Sequence, residues 1–145
     1  MKEEMKMNKL AFHELNQKAR LSIKVLNEAL KEYELYSAQW SILYTLKRFG
    51  IMTQTELWQY LHVEAPTVTR TLVKLEQRKL IIRKEGKDKR ERVVQLTEEA
   101  QILIPIIEER IDQVEKQLLL SLSMDEVDQL TKLLKKIGMG GSQDV

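Results

Sequence analysis

The sequence predicts a mainly α-helical fold with one small β-hairpin, an α+β class in which helix dominates. Three observations predict it. Five Gly and two Pro are spread over 145 residues, and Gly138, Gly140 and Gly141 lie in the tail, so only Gly50, Pro66, Gly86 and Pro105 break the interior. Apolar residues recur at three- and four-residue steps over most of the chain. That period gives way only between residues 80 and 96, where two short β-branched runs stand close together.

The elements follow in order. From about Leu10 to Tyr33, the positions Leu15, Ala19, Ile23, Leu26 and Leu30 mark one face of a first helix. Ser37 is the expected cap of a second helix that runs to Phe49, where Gly50 stops it. Thr53-Gln54-Thr55-Glu56 is a capping box, which opens a third helix reaching about Leu61. Pro66 suits the first turn of a fourth helix, continuing to about Lys79. Leu80 to Lys84 and Arg92 to Leu96 read as the two strands of a hairpin, with the polar stretch Glu85 to Glu91 as its charged tip. Thr97, followed by Glu98 and Glu99 where the helix dipole favours acids, opens a long helix reaching about Leu120 and bent near Pro105. Ser123-Met124-Asp125-Glu126 is a second capping box; its helix carries Val127, Leu130, Leu134 and Ile137 on one side. The polar tail from Gly138 to Val145 is expected to be disordered.

Composition excludes several functions. Without Cys there is no disulfide, thiolate metal site, cysteine nucleophile or thiol redox sensor. His13 and His62 are too few for most histidine metal cages, and no metal or cofactor is expected. No Gly-rich phosphate loop or His-Glu-x-x-His motif is present, so an enzyme is not expected. The longest apolar run, Ile102 to Ile107, cannot span a bilayer, and the charged start lacks a signal core. A cytoplasmic protein without a membrane partner is the expectation.

Three short helices followed by a two-stranded hairpin is the order of a winged helix-turn-helix. Residues 35–96 are assigned to that lobe, 1–34 and 97–137 to flanking dimerisation helices, and 138–145 to the tail. On the fourth helix Val68, Leu72 and Leu75 fall together and face the core, while Thr67, Arg70, Lys74 and Gln77 fall opposite. Pro66 and small hydroxyls (Thr67, Thr69) at the helix start, with Arg70 and then Lys74 at successive turns, suit a helix entering a DNA major groove. A solvated amphipathic face has the same pattern. The hairpin adds to the signal, since Arg83 to Arg92 holds six bases against three acids. A wing so placed can straddle the backbone through Lys87, Lys89 and Arg92 and insert Arg90 into a narrow minor groove, with Asp88 holding the guanidinium by an ion pair.

The run Asp88-Lys89-Arg90-Glu91-Arg92-Val93-Val94-Gln95-Leu96-Thr97 resembles the wing signature of the multiple antibiotic resistance regulator (MarR) family, Asp-x-Arg followed by Leu-Thr. Thr67-Val68-Thr69-Arg70 through Leu75-Glu76, then Leu80-Ile81-Ile82-Arg83, is similar to that family's recognition helix and first strand. The resemblance covers about Leu10 to Ile137. It implies a homodimeric repressor or activator on pseudo-palindromic double-stranded DNA, repression being the expected role, with Arg90 as the minor-groove arginine and Asp88 as its support. Two positions depart from the pattern. Lys79 stands where the family often has Gly at the helix-to-strand turn and so faces a positive φ, and Ala100 stands where Gly often follows Leu-Thr-x-x.

The same resemblance implies a small aromatic or phenolic effector. Tyr36, Trp40 and Tyr44 lie at four-residue steps on the second helix, and Phe12 and His13 on the first are the candidates to approach them. Core or interface packing explains the same residues without a ligand. Leu103, Ile107, Val114 and Leu118, with the apolar side of the last helix, form more apolar surface than a small monomer hides, which points independently to a homodimer. The alternative function is a helical dimeric protein–protein adaptor that binds no DNA. The net charge of +2 hides an uneven distribution: residues 64–92 hold ten bases and five acids, and residues 97–130 hold two bases and nine acids.

Overall fold

The computed structural model describes residues 1–140; the part of the expected tail at 141–145 lies outside the described residues. Helix α1 spans Lys2–Leu30, starting well before the apolar period does. Residues 2–9 are mostly strong helix formers, and Glu3 and Glu4 complement the dipole in the first turn, so the helix forms there without an apolar stripe. A single 3-10 turn, Lys31–Tyr33, and a left-handed Glu34 (φ 56°) lead into α2, Ser37–Phe49. Ser37 is the first helical residue rather than the cap. Tyr36 occupies the cap position, and its N–H donates to Gln39 Oε1 at 2.8 Å. The Ser37 N–H donates to Asn27 Oδ1 at 2.7 Å, so α1 itself satisfies an orphan amide of α2. Gly50 (φ 81°) ends α2 as expected.

Strand β1 is only Met52–Thr53, followed by α3 (Gln54–Leu61), α4 (Ala65–Gln77), β2 (Ile81–Glu85) and β3 (Arg92–Leu96). The expected two-stranded hairpin is therefore part of a three-stranded antiparallel sheet of order β1-β3-β2, with Met52 opposite Val94 and Ile81 opposite Leu96. Both capping boxes form: Thr53 Oγ1 accepts the Glu56 N–H at 3.0 Å, and Ser123 Oγ accepts that of Glu126 at 3.2 Å. Helix α4 ends at Gln77, short of Lys79, because Lys79 turns left-handed (φ 60°) and the Leu80 N–H closes back on the Leu75 carbonyl at 3.0 Å. Helix α5 (Glu98–Leu118) is continuous through Pro105, and α6 is Met124–Lys136.

One core joins the lobe to the inner ends of α1 and α5. Leu30, Leu43, Leu57, Val68, Leu72, Leu75, Ile81, Val94 and Ile107 are all buried within it. Ala100, the second departure from the family pattern, is fully buried, so its methyl group packs where glycine would leave space. The outer ends differ. No residue of α6 is buried, and Leu133 and Ile137 are 60% and 54% exposed. With Phe12, Leu15 and Ala19 of α1 they line one open apolar groove.

Candidate nucleic-acid interface

Helix α4 turns its apolar face inward as the period requires. Val68, Leu72 and Leu75 are buried, and Arg70, Lys74 and Gln77 are exposed on the other side, with Thr67 half-buried. Pro66 lies in the first turn, where its missing N–H costs no hydrogen bond. The hydroxyl protons here are engaged within the helix: Thr69 Oγ1 donates to the Ala65 carbonyl at 3.0 Å and Thr71 Oγ1 to that of Thr67 at 2.9 Å. Each oxygen can still accept, but donation to a phosphate requires the hydroxyl to rotate. The Arg70 guanidinium reaches back to Thr67 Oγ1 at 3.3 Å and otherwise stands in solvent.

The wing tip is built by backbone turns. Gly86 N–H donates to the Glu91 carbonyl and Glu91 N–H to that of Asp88, each at 2.9 Å. A Cβ on Gly86 would meet Val93 Cγ2 at 3.0 Å and Glu91 Cβ at 3.2 Å, so any side chain at this hairpin base crowds its neighbours. The Asp88 carboxylate accepts the Arg90 backbone N–H at 3.1 Å, whereas Arg90 Nε is 3.9 Å away from it. Asp88 thus orders the turn through the backbone and forms the expected ion pair with the Arg90 guanidinium only at the outer limit of contact, without a side-chain hydrogen bond. The Arg90 side chain is 93% exposed.

Not every base of the basic segment is available. Arg83 is directed inward, where Nη2 and Nε bond both oxygens of Glu76 at 2.9 and 3.3 Å. Hydrogen bonding from Arg83 holds the Glu76 carboxyl below the usual value, against a smaller opposing effect of burial. Arg78 is also consumed, by the carbonyls of Tyr33 and Glu34. The Arg78 engagement spans 44 positions, so nothing local in the sequence marks it, whereas the Arg83–Glu76 pair joins consecutive elements seven positions apart. Among the described residues no ion pair forms at Arg70, Lys74, Lys87, Lys89 or Arg92.

The aromatic candidates divide between two places. Trp40 is buried and its ring centroid lies 6.1 Å from that of Tyr44, one helical turn on. They line a cavity of about 210 Å³ with Glu108, Ile111, Asp112 and Glu115. Glu108 is paired with Lys47, and burial, helped by the Asp112 charge, pushes the Glu115 carboxyl up. Tyr36 lies before α2 and is exposed. Phe12 and His13 are exposed far along α1, about 26 Å from its end at Leu30, where the chain turns into α2. Within one protomer they do not join Tyr36, Trp40 and Tyr44. His62 takes a left-handed conformation (φ 55°) at the end of α3, in the turn before α4. Among the described residues no group of three or more His, Asp or Glu could hold a metal ion, and no helix is long and apolar enough to cross a membrane.

Comparison with known proteins gives this geometry a context. A model of the MarR family matches residues 35–91, from the start of the lobe to the wing tip. An uncharacterised HTH-type transcriptional regulator of Bacillus subtilis (strain 168), YwoH, is 43% identical over 129 residues, which is 89% of this chain and 94% of that protein. The crystal structure of a mutant MarR from E. coli complexed with operator DNA superposes with a TM-score of 0.78 at 28% identity, covering 93% of this chain and 96% of that one. A MarR family regulator from Rhodococcus sp. RHA1 has the same fold at 18% identity, with a TM-score of 0.84 over 93% of this chain and 96% of that one.

Proposed function

This chain belongs to the MarR family of DNA-binding transcriptional regulators, which are not enzymes, and from that premise we propose that it is a homodimeric repressor acting on a pseudo-palindromic operator. Helix α4 enters the major groove, where Arg70 reads a base edge, Pro66, Thr67 and Thr69 approach the backbone at the helix start, and Lys74 meets a phosphate further along. The wing places Arg90 in the minor groove on a turn ordered by Asp88, and Lys87, Lys89 and Arg92 meet the flanking phosphates. Residues 1–34 and 97–137 form the dimer, residues 35–96 the DNA-binding lobe, and the protein works in the cytoplasm. The observation that carries this reading is the division of charge in the basic segment. Arg78 and Arg83 are spent inside the fold, whereas Arg70, Lys74, Lys87, Lys89, Arg90 and Arg92 remain solvated with at most one distant acid among them. A salt series on random and selected duplexes tests it. Log K should fall by roughly 0.9 per phosphate neutralised, and absent or salt-insensitive binding would leave the protein–protein adaptor instead.

The repressor is released by a small aromatic effector seated against Trp40 and Tyr44. The cavity is the size of a single ring, and Asp112 and Glu115 at its wall favour a neutral phenol and repel a phenolate. Addition of phenol below its pKa should weaken operator binding in the wild type and have no effect on Tyr44→Ala. An equal response in the two proteins would place the effector elsewhere.

A further inference from the structure

Arg78 stands just past the end of α4 and reaches out of the DNA-binding elements to the joint with α1. Its Nη1 donates to the Glu34 carbonyl at 2.6 Å and its Nη2 to the Tyr33 carbonyl at 3.0 Å. Those carbonyls belong to the short connection between α1 and α2, which is fastened from the other side as well. Glu34 N–H donates to the Lys31 carbonyl at 2.9 Å, Leu35 N–H to that of Leu30 at 3.3 Å, and Asn27 accepts the Ser37 N–H at 2.7 Å. Glu34 is held at φ 56°, a conformation non-glycine residues avoid, and the surrounding bonds over-determine it. A planar guanidinium on two successive carbonyls fixes an angle as well as a distance, which an ammonium on one carbonyl does not.

The position of this clamp decides its consequence. One end is the C-terminus of the recognition helix, and the other is the end of the helix that carries the apolar groove. In a dimer joined through α1, α5 and α6, this joint is one of the connections, with the shared core, that relate the two recognition helices. We propose that Arg78 is a positioning residue for operator recognition: it locks the orientation of α4 against α1 and thereby sets the half-site spacing that the dimer accepts. The inference rests on the dimeric operator-binding reading above. Arg78 contributes no base contact in this role, and its removal leaves the half-site sequence preference intact.

One inserted base pair moves a half-site by about 3.4 Å and turns it by about 34°, which a rigid joint rejects and a loosened one absorbs. The test uses the full-length chain. Wild type, Arg78→Ala and Arg78→Lys are first used to select sequences from randomised duplexes. Binding is then measured on duplexes whose half-sites are respaced by one base pair in either direction. Wild type is expected to lose about tenfold or more per base pair, a penalty comparable to a mismatched base pair, whereas Arg78→Ala loses less than about threefold, with unchanged selected half-sites and salt slope. Arg78→Lys, which reaches one carbonyl, is expected between them, and it carries the test if Arg78→Ala does not fold. A merely structural role would weaken binding equally at every spacing, so wild-type spacing discrimination in the folded variants overturns the inference. A wild type that selects no duplex at all overturns the regulator reading and this inference with it.

Discussion

The Arg83 guanidinium and the Glu76 carboxylate meet at 2.9 Å, fastening the first wing strand to the recognition helix. The Arg83 side chain is only 13% exposed, while Glu76 is 40% exposed. The wing is thereby braced against α4. Because Glu76 titrates below its ordinary value of 4.5, the pair adds native stability above that value, lost as the pH falls through the lower folded value. With Glu76 partly solvated, the pair is worth about 0.2–1 kcal/mol. Glu76→Gln should therefore melt below wild type at neutral pH, and the two should converge on acidification past the ordinary carboxylate range. Thermal melts from neutral to acid pH check this; a constant offset would remove the pair as the cause.

Arg90→Ala should lower operator affinity by at least ~1 kcal/mol with the melting temperature and dimer mass unchanged, because its exposed side chain meets only the Asp88 carboxylate, 3.9 Å away, among the ion pairs of the described residues. Asp88 separates two roles. Asn at this position keeps an oxygen for the Arg90 N–H at 3.1 Å but loses the charge, whereas Ala loses both. Titrations should place Asp88→Asn near wild type and Asp88→Ala well below it. Equal losses in the two would make the charge, not the turn, the contribution of Asp88.

Arg70→Ala should relax sequence preference rather than simply weaken binding. Its guanidinium projects from the exposed face of α4 and, among the described residues, hydrogen-bonds only to Thr67. A lost bidentate base contact removes about 1–3 kcal/mol of discrimination at one position. Site selection with wild type and variant reads this directly, and identical selected sequences would remove Arg70 from base readout.

What was legible in the chain was local. The capping boxes at Thr53 and Ser123 and the inward face of Val68, Leu72 and Leu75 follow from spacings of three and four residues, and the structure has them where the spacing puts them. The basic face of α4 and the charged wing were visible for the same reason. Strand β1 was not, because two residues carry no period and Met52–Thr53 is a strand only through its pairing with Val94 and Val93. Asn27, Arg78 and Arg83 look like ordinary surface residues in sequence. Their partners fall at no regular spacing, Ser37 being 10 positions from Asn27, Glu76 seven from Arg83 and Glu34 44 from Arg78.

Lys79→Gly should stabilise the protein. Lys79 sits at φ 60°, and its side chain forms no ion pair among the described residues; its backbone carries the local bonds, accepting the Thr97 hydroxyl at 2.7 Å. Glycine keeps those bonds and removes the left-handed penalty, worth roughly 1 kcal/mol, or about 2–4 °C in melting temperature at this size. Calorimetry decides; an unchanged or lower transition would mean that the turn is not strained.

The dimer prediction tests the outer helices. Leu130, Leu133 and Leu134 of α6, with Ile137 just past its end, face Phe12, Leu15 and Ala19 of α1 across an open apolar groove. Leu133 is 60% exposed, so a charge there takes nothing from the protomer's own core. A carboxylate buried against apolar surface in a dimer, by contrast, is costly unless paired. The double variant Leu133→Glu, Leu134→Glu should therefore sediment at half the wild-type mass at micromolar concentration, retain its helical circular dichroism, and bind a single half-site with wild-type sequence preference. Its affinity for the complete operator should fall by at least about a hundredfold, since the second half-site no longer profits from effective concentration. A variant that stays dimeric would place the interface on surfaces other than α6, and one that is monomeric yet keeps full operator affinity would separate dimerisation from DNA recognition.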